Sequence, residues 1–199
     1  MTGDRRPGIE HYRHVVEGLQ LTKGRSHPET LRARLNLAEA LLADHYHSEA
    51  MMHLEQLVAD SVPVWGPDHP DTLLARHTLA VAYGRVARIE DGIEVEGDVL
   101  NDAERVLGPD HPDTVQSRAG LAWLLVQRGR IRMPGDARGA LRDGLSAIRI
   151  VHSRVGAHPE PFRPVLRQAY LLAADAADHN RWPELAAALR ERADATEAS

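Results

Sequence analysis

A short phrase recurs in this chain at a fixed interval. Ser26-His27-Pro28-Glu29-Thr30-Leu31 is followed by Pro67-Asp68-His69-Pro70-Asp71-Thr72-Leu73 and by Pro109-Asp110-His111-Pro112-Asp113-Thr114-Val115. Histidine follows histidine at 42 residues twice, and a degenerate copy, Ala157-His158-Pro159-Glu160-Pro161, comes 47 residues later. A period of this length requires repeated supersecondary units that bury their apolar faces against one another, so the chain is constrained to a stack of similar modules.

Each phrase has the chemistry of a helix boundary. Proline fits the first helical turn, where its missing N–H has no helical partner, and it drives the preceding residue out of the α region. The acid beside it complements the positive end of the helix dipole. Gly66 and Gly108, followed by Pro67 and Pro109, are placed to end the previous helix in a left-handed cap. Between the phrases the apolar spacing is helical: Leu37, Ala38 and Leu41; Leu73, Leu79, Ala80 and Tyr83; Leu121, Ala122 and Leu125. A second helix follows in each unit, carrying Ala50, Leu54, Leu57 and Val58, then Ile93, Leu100, Ala103 and Leu107, then Leu141, Leu145, Ile148 and Val155. The pattern predicts nine helices, near 8–23, 28–44, 47–64, 71–87, 90–107, 113–129, 136–155, 160–179 and 181–196. The first is a lone capping helix, and the last shows the polar outer face of a terminal unit.

The repeated hairpins and their linker resemble tetratricopeptide repeats of the 42-residue variety seen in kinesin light chain and in bacterial arrays. The segment 72–83 and the phrase 108–114 carry the resemblance, which is strongest over 27–130. It implies an all-α, right-handed superhelical solenoid: capping helix 8–23, repeats at 27–68, 69–110 and 111–157, the third with an insertion around Met133-Pro134-Gly135-Asp136, and a degenerate repeat with a C-terminal cap at 158–199. The whole chain, 1–199, then reads as one domain. Proline at 161 and 164 is expected in the opening turn of the fourth unit, where free N–H groups tolerate it.

The resemblance also implies that first helices line a concave, peptide-binding face. Arg34, Glu39, Arg76, His77, Arg118, Trp123, Gln127 and Tyr170 are assigned to that face. Arg34, Arg76 and Arg118 recur at the same place in each first helix, three residues before a leucine, forming a ladder that either holds a partner's carboxylates bidentately or pairs with acids of the adjacent helix. Trp123 shares a helical face with Gln116, Ala119, Val126 and Gln127, and is either an aromatic anchor or a packing residue. The usual first-helix asparagines are replaced by Leu35-Asn36, His77-Thr78 and Ala119-Gly120, so a main-chain clamp is not implied.

Charge adds direction. The net charge is only −5, which argues against a general nucleic-acid surface. Residues 39–110 hold fifteen acids against four arginines, whereas 128–167 hold nine arginines against three acids. The expected ligand is therefore an acidic, partly apolar segment of a protein or peptide, with nucleic-acid binding by 128–167 alone as a rival. No cofactor is implied. The linker histidines serve helix initiation, and the pairs His45/His47 and His11/His14 supply two ligands where a metal needs three or four. Phosphate-loop, nucleophile-elbow and zincin motifs are missing, and without cysteine there is no thiol nucleophile. Acids such as Glu90, Asp91, Glu94 and Glu96 read as a solvated helix face. Met1 to Gly8 lacks the apolar core of a signal peptide and no stretch is long enough to span a bilayer, so a cytoplasmic location is expected. Lys23 is the lone lysine, an arginine bias that suits a G+C-rich bacterial genome. The reading is a non-catalytic binding scaffold. Its alternatives are a regulatory array serving a separate catalytic or nucleotide-binding module, and an enzyme or small-molecule receptor built on a solenoid pocket.

Overall fold

The computed structural model describes residues 6–154 and 156–198. Val155, assigned above to a buried stripe, and most of the segment read for a signal peptide lie outside them. The described residues form nine α-helices and no strand: α1 Arg6–Lys23, α2 Pro28–Ala43, α3 His47–Trp65, α4 Pro70–Arg85, α5 Ile89–Val106, α6 Pro112–Arg132, α7 Ala137–Val151, α8 Pro159–His179 and α9 Pro183–Ala198. A 3-10 turn, His152–Arg154, follows α7. Boundaries fall close to the expected ones. The extra residues of the third unit lengthen α6 to Arg132 before a turn that ends in Asp136, whose carboxylate accepts the Gly139 N–H at 2.8 Å and caps α7.

The linker histidines are the helix caps themselves. His27, His69 and His111 hold extended backbone, and their Nδ1 atoms accept the N–H of Glu29, Asp71 and Asp113 at 3.3, 3.1 and 3.2 Å. Proline at the next position fixes φ for the helix while the imidazole satisfies one of the orphan donors. His158, in the degenerate copy, makes no such bond. Gly24, Gly66 and Gly108 all have φ near +90°. At Gly66, however, ψ is 162°, so it occupies the mirror-extended region open only to glycine, not the left-handed cap that the sequence suggested.

The left-handed positions lie instead inside the hairpins, at His45, Ala87 and Arg181, with φ of 66°, 63° and 62°. Tyr46 N–H reaches Leu41 C=O, Arg88 N–H reaches Tyr83 C=O and Trp182 N–H reaches Ala177 C=O, at 2.8, 2.9 and 2.9 Å. These are the six-to-one bonds of a Schellman turn, formed here without glycine.

The chain divides into two compact units, one running to Val106 and one starting at Leu107. In the first, α1 to α5 pack in succession and α2 also lies along α4. Ile9 and Val16 of α1 join a core with Leu31, Leu35 and Leu41 of α2, Leu54 and Leu57 of α3, and Leu79 and Tyr83 of α4. In the second, α6 to α9 pack in succession and α6 also touches α8. Phe162, Leu166, Ala173 and Ala177 of α8 are buried there, with Leu124 and Val126 of α6 and Ala186, Leu189 and Ala193 of α9. Pro164 lies inside α8 beyond its opening turn, contrary to expectation, because the helix starts at Pro159.

Two buried stripes differ from the sequence reading. On α5 the core face is Ile89, Gly92, Glu96, Val99 and Ala103, with Ile93 and Leu100 only half-buried. On α7 it is Gly139, Ala140, Asp143, Gly144, Ala147 and Val151, with Leu141 at its margin, while Leu145, expected inside, is 43% exposed. Small residues explain the rotation of α7. A Cβ added at Gly144 would stand 3.1 Å from the Ala169 carbonyl and from Ala173, so α7 and α8 approach closely only on that face.

Candidate functional site

The recurring arginines face inward. Arg34 is 4% exposed and gives Nη1 to Asp60 Oδ2 at 2.6 Å, while Arg76 gives Nη1 to Asp102 Oδ2 at 2.9 Å. In both cases the acceptor lies 26 residues on, in the second helix of the same repeat. Arg118, 6% exposed, gives Nη1 to the Pro109 carbonyl at 3.2 Å. Arg34 and Arg76 pair with acids inside the array, one of the two roles open to the ladder, whereas Arg118 reaches a main-chain carbonyl of the linker before α6. Burial pushes the carboxyls of Asp60 and Asp102 up, but hydrogen bonds from Arg34 and Arg25, and from Arg105 and Arg76, outweigh it and hold both below the ordinary carboxylate value.

On the first-helix side of the first unit, the structure gathers Glu39, His77 and Glu96. His77 Nδ1 lies 2.8 Å from Glu96 Oε1, and Glu96 is fully buried. Glu39 is exposed on α2, yet the protein around its carboxyl pushes its pKa up, an effect that nearby His77 partly offsets. The solvated face expected for Glu96 is therefore wrong: its position on the inner stripe of α5 places it under His77. That partner sits on another helix of the repeat, and linear periodicity does not show it.

In the second unit, Trp123 and Gln127 are half-buried one turn apart on α6, with exposed Gln116 about two turns before Trp123. Tyr170 is 6% exposed, and its hydroxyl lies 3.2 Å from His152 Nδ1 in a cleft of about 270 Å³ that Arg163, Leu166, Arg192 and Thr196 also line. Sequence reading missed Asp143, a 1% exposed carboxylate on which Arg128 and Arg132 converge at 2.7 and 3.2 Å. Its signal was an acid amid glycine and alanine on α7, in register with Glu96 on α5. His45 and His47 meet edge to face, and among the described residues no three histidine or acidic side chains converge as a metal shell.

Polar groups spent inside the hairpins, imidazole caps on α2, α4 and α6, and successive packing define a helical-hairpin repeat protein. The tetratricopeptide repeat family model matches residues 30–71 and 72–113, so the chain carries two adjacent tetratricopeptide repeats there. Among solved structures it is similar to an array of nearly identical TPR-like repeats of kinesin light chain type from Podosopora anserina, with TM-score 0.71 and 24% identity over 98% of this chain and 88% of that one. A point variant of the same array gives TM-score 0.72 at the same identity and coverage. BtubC (BKLC) from P. vanneervenii gives TM-score 0.71 at 16% identity, over 98% of this chain and 74% of that one. These are likenesses of fold. No curated protein matches the chain. No helix among the described residues is long and apolar enough to cross a membrane.

Proposed function

We propose that the chain is a non-catalytic adaptor that holds an acidic, partly apolar segment of a partner protein. The observation that carries this reading is the pair of in-register tetratricopeptide repeats at 30–113, a module that commonly mediates protein–protein contact. Arg34 and Arg76 are engaged within their own hairpins, so the reading rests on Glu39 and His77 in the first unit and, separately, on Trp123 and Gln127 in the second. Half-buried Trp123 supports an apolar anchor. The arginine excess of 128–167 supports an acidic ligand.

A pull-down from the source organism with the full chain as bait, followed by peptide mapping of the captured protein, tests the reading. A mapped segment rich in aspartate or glutamate around leucine or an aromatic residue is the expected result. A basic segment, or capture of none, overturns it.

A further inference from the structure

Leu145 is the residue that does not fit its helix. Arg138, Arg142, Leu145 and Arg149 follow one another at the spacing of a single helical stripe, and that stripe lies opposite the glycine and alanine face on which α7 packs. All four are exposed. With Leu141, Ser146 and Trp182 they line a cleft of about 440 Å³. Leu145 and Trp182 are each 43% exposed, a large apolar surface for two neighbouring side chains to leave in water. Trp182 is held at the edge of the cleft by the Schellman turn that ends α8.

The charges around this apolar floor are equally unspent. Elsewhere in the unit, Arg128 and Arg132 share Asp143, Arg154 meets Asp110, Arg167 meets Glu197, and Arg190 meets Asp175 and Asp178. Arg138, Arg142 and Arg149 have no acidic partner among the described residues. The matching stripe 47 residues earlier, on α5, is Asp91, Val95, Asp98 and Asp102. Its acids are largely satisfied at home, Asp91 by Arg88 and Asp102 by Arg76 and Arg105. At this place in the repeat, then, α7 carries the opposite charge and leaves it open.

We propose that this cleft is the docking site for the acidic segment, taken as an amphipathic helix of a partner protein. A bulky apolar side chain of the helix would seat among Leu141, Leu145 and Trp182, with carboxylates reaching Arg142 and Arg149 on either side. The site rests on the protein-binding reading above and adds, to the first-helix contact at Trp123, a second contact on the outer face of a second helix. A protein fits better than a nucleic acid, because from residue 107 onward the chain holds thirteen arginines against eleven acids, so there is no broad basic field, and the cleft floor is apolar.

The probe is a fluorescein-labelled helical peptide with glutamates one and three turns apart on one face, leucine and phenylalanine between them, and an alanine–glutamine background. The full native chain is expected to bind it with an affinity that falls as salt rises. The double variant R142E/R149E should bind about tenfold or more weakly, and Trp182→Ala should weaken binding while preserving the salt slope. Because the arginines are exposed and lack acidic partners among the described residues, R142E/R149E should melt with the parent. Equal binding by parent and R142E/R149E overturns the site, as does absence of binding to the parent. Displacement of the peptide by an oligonucleotide at matched charge overturns the choice of a protein. A concentration-dependent oligomer that R142E/R149E converts to monomer assigns the cleft to a second copy of the chain and overturns the partner. A natural partner captured equally by parent and R142E/R149E sinks the cleft alone, whereas capture of none sinks the protein-binding reading.

Discussion

His77 of α4 and Glu96 of α5 meet at 2.8 Å, with the carboxylate fully buried and the imidazole at the edge of solvent. The pair joins the two helices of the second repeat on the side where Glu39 also lies. His77→Ala removes a hydrogen-bonding partner from a buried acid and should cost about 1–3 kcal/mol in urea unfolding. Glu96→Leu fills the same space with an apolar group and leaves an imidazole that water can reach, so its cost should be smaller. If Glu96→Leu proves the more damaging, the carboxylate has a structural role beyond this pair.

Arg34 and Asp60 brace the first repeat as Arg76 and Asp102 brace the second, with only 5% of the Arg34 side chain exposed. Asp60→Asn leaves that guanidinium buried without its carboxylate and should destabilise the chain by about 3–5 kcal/mol. The acid response follows from the depressed carboxyls of Asp60 and Asp102. A folded-state value below the unfolded one gives stability that is complete above the ordinary carboxylate range and is lost as pH falls through the folded value. The contribution of these two carboxyls to thermal stability should therefore be constant above that range and fall below it, and Asp60→Asn should reduce the acid-dependent part of the loss. An identical acid profile in that variant would rule Asp60 out as a source.

The hairpin turns offer a test by stabilisation. Ala87 is exposed with φ of 63°, a left-handed backbone that costs an L-residue about 1 kcal/mol and glycine almost nothing. Ala87→Gly should raise the melting temperature. Gly108→Val should lower stability by about 1 kcal/mol or more, because its φ is 91° and open space around the missing Cβ leaves the backbone as the only source of strain. Equal melting of Gly108→Val and parent would show that the linker tolerates another conformation.

Much of this fold was legible because its punctuation is local. Histidine, proline and an acid in one phrase specify a helix start through atoms a few residues apart, so helix number and order could be read directly from the sequence. The same phrase concealed the cap itself, since imidazole is an uncommon acceptor at that position and proline and the dipole already accounted for the start. Faces were harder. Periodicity says that α7 has a stripe but does not say that glycine and alanine outrank Leu145 for the inside, because that choice depends on how closely α8 approaches. Glu96 and Asp143 were hidden for a related reason: a buried acid is acceptable only beside a donor, and His77, Arg128 and Arg132 lie on other helices.

Helix α1 covers one side of α2, with Ile9 and Val16 buried in the shared core and Arg13 paired with Glu49 of α3. Removing residues 1–23 uncovers the apolar side of α2 around Leu31 and Leu35. The shortened chain should aggregate or lose cooperativity in thermal melts. If it stays as soluble and as heat-stable as the parent, α1 is not a cap.

Trp123 separates the first-helix face from the α7 cleft. It is half-buried on α6, one turn from Gln127, whereas a tryptophan serving mainly as core would cost about 3–5 kcal/mol when truncated. Trp123→Ala is expected to keep the parent's helicity and nearly its melting temperature while releasing a captured partner faster, since removal of an anchor acts mainly on dissociation. The labelled acidic peptide, which reports on Arg142 and Arg149, should bind Trp123→Ala and parent alike. A large fall in melting temperature makes Trp123 a packing residue. Unchanged release of the partner from a folded variant removes the first-helix face of α6 from recognition, and the cleft beside Trp182 is then left as the surface through which this unit holds an acidic segment.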